Sequence, residues 1–197
     1  ETLRGITKGQ VYRAPSSADA RIFYFDDTAR QDIREKYNLK NRKVIVYVGK
    51  FGGIYYQSEI IRFFAALRAL DPSYYLFIVS PQDHLEISTL CREGGLKDED
   101  YCITETASQA EIRGFNSAAD IGLTAVPPYP SQRFRSPVKV GEYLMCGLPY
   151  ITMRGVSEDD EVAENNNVGI VLPALEAAQA DDAHSKISEL LHQDPTA

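Results

Sequence analysis

From residue 44 onward the chain alternates short, β-branched apolar runs with stretches of helical period, and few folds accommodate that pattern. The runs 44–49 (VIVYVG), 74–80 (YYLFIVS), 101–104, 120–125 (DIGLTA), 150–152 and 168–172 (VGIVL) read as strands. Between them, 58–70, 83–93, 109–118, 137–146 and 175–193 read as helices, most clearly the first, with its stripe Ile60, Ile61, Phe64 and Leu67. Strands apolar on both faces and separated by helices require a parallel sheet covered on each side. The expected class is therefore α/β, a Rossmann-like parallel sheet with helices on both faces. Residues 1–43 fit the alternation poorly; they are set apart as a lead-in or linker segment with a helix near 28–37. Residues 44–197 then form the domain, and 197 residues suffice for one such core.

Composition removes several classes of function. The net charge is −7 and no cluster of Lys and Arg appears, which argues against a nucleic-acid partner. No apolar run is long enough to span a bilayer, and no signal peptide opens the sequence. Cys91, Cys102 and Cys146 lie far apart in helix-, strand- and helix-like segments, which suggests reduced thiols and a cytoplasmic setting. The full-length protein could still be peripheral at a membrane. The three histidines, His84, His184 and His192, make no metal-ligand spacing with the cysteines, so neither a metal nor a cofactor is expected. The chain begins at Glu1 rather than Met and stops soon after its last helix, so both ends are expected to be cut from a longer protein.

In such sheets ligands bind beyond the carboxyl ends of the strands. The loops of interest follow Gly49, Ser80, Thr104, Ala125 and Thr152. Gly49-Lys50-Phe51-Gly52-Gly53 directly follows the first strong strand: its glycines let backbone N–H groups approach a ligand, and Lys50 supplies a cation for phosphate. The same residues also fit a flexible turn with an exposed lysine. In 136–144 (SPVKVGEYL), Ser136 fits an N-cap and Pro137 a first helical residue, so a helix start with its free N–H groups would form an anion site there. Lys139 and Glu142, three apart, share one face, suiting either a nucleotide site or a surface ion pair.

Read as Ser-Pro-x-Lys-x-x-Glu-Tyr-Leu-x-Cys-Gly-Leu-Pro, this segment resembles the nucleotide-sugar motif of retaining glycosyltransferases of the two-domain B-type fold (glycosyl transferases group 1, family 4-like). Gly147 and Pro149 lead into the next strand as they do in that family. Gly155-Val156, the acidic run 158–161 and Asn167-Val168-Gly169 resemble its later conserved stretch, and VYVGKFGGIYY its glycine turn. The resemblance spans about residues 40 to 192 and is most specific over 135–149. It implies a donor-binding half in which Lys50, Gly52, Gly53, Ser136 and Lys139 face the donor diphosphate and Glu142 holds the ribose. Many members carry a sugar-contacting glutamate eight positions before the ribose residue. Here Phe134 stands at that place, flanked by Arg133 and Arg135, either of which suits phosphate, sugar or solvent.

Other constellations carry less. The run Glu158-Asp159-Asp160-Glu161 suits a metal, but acids ahead of Val162-Ala163 suit the positive end of a helix better. Thr104-Glu105-Thr106 reads as a base pocket or as a cap at Thr106 or Ser108. Tyr55 and Tyr56 read as packing residues, and no nucleophile triad assembles. The resulting expectation is a domain that binds a nucleoside diphosphate sugar and transfers little alone, because the acceptor domain is missing from the chain. The catalytic residues are unassigned. Two other readings stay open: a sugar-nucleotide epimerase of the same fold, and a nonenzymatic Rossmann-like interaction module.

Overall fold

The computed structural model describes residues 16–105 and 108–192. Its strands are β1 (Lys43–Val48), β2 (Tyr74–Val79), β3 (Tyr101–Thr104), β4 (Ile121–Leu123), β5 (Tyr150–Met153) and β6 (Gly169–Leu172). Every pairing is parallel, in the order β3-β2-β1-β4-β5-β6. The α/β class read from the sequence is the class observed. The order reverses direction between β1 and β4, so the connections on either side of that pair leave the sheet in opposite senses and open a crevice at their carboxyl ends.

The helices are α1 (Asp27–Lys36), α2 (Ser58–Leu70), α3 (His84–Glu93), α4 (Gln109–Ala118), α5 (Val138–Met145), α6 (Asp159–Asn165) and α7 (Ala180–His192). Helices α2, α3 and α7 bury Ile60, Phe64, Leu67, Ile87, Ala183 and Ile187 against one face of the sheet. The other face takes Phe115, Val140, Tyr143 and Ala163 from α4, α5 and α6. Local caps agree with the sequence: Asp83 accepts from the N–H groups of Leu85 and Glu86, and Ser108 forms a capping box with Glu111. Thr106, the other candidate cap, lies outside the described residues, as do Gln193 and residues 1–15.

Residues 16–42 are packed onto the second face. Phe23 and Leu39 are buried. Helix α1 lies along α4, where Gly114 leaves room for Ile33, whose Cδ1 would be 3.2 Å from a Cβ on that glycine. Two arginines of α1 converge on Asp120: Arg30 donates to it at 2.7 Å and Arg34 at 3.2 Å. The same arginines donate to the carbonyls of Ser117, Ala118 and Ala119, which end α4. That satisfies carbonyls a helix terminus leaves without intrahelical partners. Asp120 also accepts from the Val44 N–H at 2.8 Å, while its own N–H donates to the Val44 carbonyl.

Candidate functional site

A cleft of ≈ 400 Å³ opens at the reversal between β1 and β4. Its wall comes from Val48 at the end of β1, Tyr55 in the following loop, Val126 after β4, and Arg135 through Lys139 with Glu142. Four of these residues, Arg135, Ser136, Lys139 and Glu142, are polar residues that the sequence singles out. Lys50, Gly52 and Gly53 stand on the loop joining Val48 to Tyr55 and do not line the cavity; Lys50 is exposed.

That loop is fixed by its own bonds. The Tyr47 hydroxyl donates to the Lys50 carbonyl. Gln82, in the loop after β2, accepts from the Phe51 N–H at 2.5 Å and donates to the Phe51 carbonyl at 3.3 Å. The Tyr56 N–H donates to the Ala125 carbonyl at 2.9 Å, joining the two loops that flank the cleft. Gly52 and Gly53 take φ of +78° and +66°, a region closed to most side chains. The adjacent tyrosines divide. Both pack against the core, but the Tyr56 hydroxyl accepts there from the Leu175 N–H, whereas Tyr55 also lines the cleft.

Helix α5 starts one residue later than the sequence suggests, and Ser136 does not cap it. Pro137 occupies the N-cap position, with φ −63° and ψ 121°, and no side chain caps the helix. The reason is a long-range contact: the Ser136 hydroxyl accepts from the Ser16 N–H at 2.6 Å instead of from the helix. The first-turn N–H groups are therefore left without a side-chain partner at the cleft wall, where the positive end of the helix dipole favours an anion.

Lys139 is half-buried. Its ammonium lies 4.9 Å from the ring centre of Tyr55 and 5.3 Å from that of Tyr47, within cation–π range. Gly49, at φ +154°, makes room for it: a Cβ there would be 2.8 Å from the Lys139 Nζ. Burial pulls the ammonium down from 10.5 to about 8, against the opposing pull of the Glu142 charge. Burial likewise raises the Glu142 carboxyl, while Lys139 lowers it. The two make no ion pair within 4.0 Å, so the surface-bridge reading is set aside, and the Glu142 carboxylate has no hydrogen-bond partner among the described residues. Arg135 is exposed at the cleft wall. Two cations, an uncapped helix start and one carboxylate thus converge on a single cavity. The cavity suits a ligand with an anionic group at one end and hydroxyl donors at the other.

Arg133 requires a correction. Part-exposed but already paired, its guanidinium donates to the Ser157 carbonyl at 2.5 Å, to Asp160 at 2.8 Å and to Glu161. Asp160 is 2% exposed; burial raises its carboxyl, but the Gly155 N–H, Arg133 and the Glu161 N–H outweigh that and hold it low. This clamp ties the 3-10 turn Pro130–Phe134, read from sequence as plain loop, to the start of α6. It also explains the acidic run as a helix start with an arginine partner. Phe134 ends the turn 89% exposed. The long separation between Arg133 and Asp160 left no sequence signal for the clamp.

The sequence model of the family described as glycosyl transferases group 1 matches residues 29–197. No curated protein matches the chain. Among solved structures, the C-terminal domain of a glycosyl transferase group 1 family protein, LpcC, from Francisella tularensis is similar at 18% identity and a TM-score of 0.68, covering 89% of this chain and 91% of that one. Sucrose-phosphate synthase from Thermosynechococcus elongatus is similar at 19% identity and a TM-score of 0.64, over 96% of this chain and 51% of that one. HepE from Anabaena, in complex with UDP and glucose, is similar at 15% identity and a TM-score of 0.67, over 89% of this chain and 48% of that one. At such identities the likeness is one of fold, and the chain spans about half the length of the latter two proteins.

Proposed function

This chain belongs to the glycosyl transferases group 1 family, and from that premise we propose that it is the donor-binding domain of a sugar transferase, taking a nucleoside diphosphate sugar in the β1/β4 cleft. The observation that carries the reading is the convergence there of Lys139, Arg135, the uncapped start of α5 and the unpartnered Glu142 carboxylate. The cations and first-turn N–H groups suit a diphosphate, and Glu142 is one helical turn behind them, placed to accept from ribose hydroxyls. HepE, of the same fold, is known in complexes with UDP and with UDP-glucose, which supports this class of ligand.

In transfer, negative charge builds on the leaving diphosphate. A fixed helix dipole, Lys139 and Arg135 would stabilise it electrostatically, without a metal ion. Lys50 and the Gly52–Gly53 turn, on the loop between Val48 and Tyr55, would add a cation and backbone donors to a ligand that extends beyond the cavity. Arg133 has no part in this scheme, because its guanidinium is committed to Asp160 and Glu161. Phe134, where a glutamate would contact the sugar, leaves that end of the donor without a carboxylate from this turn.

The acceptor would be held by a further domain of a longer protein, consistent with the chain spanning about half of HepE. This chain alone would bind donor nucleotide and transfer little or no sugar, and the whole protein would work in the cytoplasm; among the described residues no helix is long and apolar enough to cross a membrane. Calorimetric titration with UDP, GDP, ADP and their sugar conjugates tests the reading. Binding of at least one, weakened at least tenfold in Glu142→Ala with the fold retained, is the expected result. An unchanged affinity in that variant removes Glu142 from the site.

A further inference from the structure

We infer that the backbone N–H of Ser16 positions the Ser136 hydroxyl as a hydrogen-bond donor to the anion in the cleft, which makes residues 16–18 a working part of the site. The inference rests on the anion-binding reading above.

A serine hydroxyl has one proton to donate and two lone pairs to accept with. The Ser16 N–H fills one lone pair at 2.6 Å, and among the described residues no acceptor takes the Ser136 proton. Ser136 lies in the wall of the cleft beside Arg135 and Lys139. With one lone pair held by an amide, the hydroxyl keeps its proton and a second lone pair, and of these only the proton can meet an anion. A hydrogen bond accepted by a hydroxyl also polarises its own O–H and strengthens the bond it donates.

The segment that supplies the amide is held in place independently. Its chain passes close along α5 at Gly141, where an added Cβ would be 3.3 Å from the Ala18 nitrogen and 3.5 Å from the Ala18 Cβ. Downstream, the Asp19 carbonyl accepts from the N–H groups of Ile22 and Phe23, both at 2.9 Å, and the Phe23 ring is buried in the core beneath. Ser16 is therefore set by a close glycine contact and a buried aromatic anchor, and it contributes through its backbone alone.

That dependence on the backbone supplies the test. UDP, GDP and ADP are titrated separately into the wild-type chain by calorimetry, and the tightest is carried through Ser16→Ala, Ser16→Pro, Ser136→Ala and the Ser16→Pro/Ser136→Ala pair. Thermal unfolding checks that each variant folds. Ser16→Ala keeps the N–H and should bind as wild type does. Ser136→Ala loses a hydrogen bond to a charged group and should raise Kd about tenfold or more. Ser16→Pro removes the amide hydrogen and should raise Kd about threefold or more, an effect that vanishes in the Ser136→Ala background. A segment that merely packs would lower the melting temperature in Ser16→Pro and leave Kd alone, which overturns the inference. So does a Ser16→Pro effect of equal size with and without Ser136. If the wild type binds none of the three nucleotides, the donor-site reading itself falls, and this role with it.

Discussion

Replacing Lys139 with Met should stabilise the chain and at the same time weaken its affinity for nucleoside diphosphates. Burial takes the ammonium from 10.5 to about 8. At about 1.4 kcal/mol per pH unit, that drop corresponds to roughly 3 kcal/mol by which the folded state disfavours the charge. Lys139 is only half-buried, so solvent screening reduces the figure to about 2 kcal/mol. Against this stand the contacts with Tyr47 and Tyr55, worth about 0.5 kcal/mol each at a partly exposed site. Methionine fills the same space over both rings without a charge, so the net gain at pH 7 is about 1 kcal/mol, or about 2–4 °C in melting temperature for a chain of this size. The pH dependence has a definite sign. Between pH 8 and 10.5 the unfolded chain holds the Lys139 proton more often than the folded one, so wild-type stability rises with pH across that window relative to Lys139→Met. The advantage of the methionine variant should therefore shrink and disappear by about pH 10.5. Calorimetry should show its affinity for the bound nucleotide lower by tenfold to a hundredfold. A variant that melts several degrees lower, or that binds nucleotide within twofold of wild type, would refute the account of Lys139 as a charge held at a cost for an anion.

Other consequences can be checked on the same material. Arg133→Ala leaves the buried Asp160 carboxylate with only the more distant Arg154, at 3.9 Å, and should cost about 2–3 kcal/mol in chemical denaturation while the folded variant keeps its nucleotide affinity. Gly122→Ala places a Cβ 2.6 Å from the ring of Tyr143, a fully buried residue of α5; destabilisation of about 1–3 kcal/mol should appear together with weaker nucleotide binding, because α5 must move. Burial raises the Asp159 carboxyl from 3.8 to about 6, so its contribution to stability is present below about pH 4 and lost as pH rises through 6; Asp159→Asn should then melt higher than wild type at pH 7 and no higher at pH 4. An Asp159→Asn variant that melts lower at pH 7 contradicts that assignment.

The sheet was legible in the sequence because its strands are buried on both faces, and two-sided burial writes unbroken runs such as VIVYV and YYLFIV. Helix α2 was legible to the residue, since its stripe has the right period. The start of α5 was read one residue early because local capping rules do not know that a segment 120 positions upstream claims the Ser136 hydroxyl. The exposed or buried state of a charge is equally non-local. Nothing in the spacing of Lys139 says that its ammonium rests on two tyrosine rings, or that Arg133 is spent on α6. Tyr55 and Tyr56 show the same limit at single-residue scale: in a loop with no period, which neighbour faces the cleft is settled by the bond from Tyr56 to Ala125. Local pattern thus pointed to the candidate site, and long-range contacts decided which of its residues are left unpaired.

Asp120 gives the cleft a mechanical asymmetry. Its backbone and side chain both pair with Val44, and its carboxylate gathers Arg30 and Arg34 as well. All of this lies at the amino ends of β1 and β4, the two strands whose other ends border the cavity. From this heel the two strands stay paired to Tyr47 and Leu123, and the bond from Tyr56 to Ala125 joins the loops beyond them, so the heel fixes the register in which those loops reach the mouth. Loosening the heel with Asp120→Asn would then be felt about three residues further along each strand, at the mouth. The tie between α1 and the sheet is in this sense a setting for the aperture of the site, although it touches no part of it.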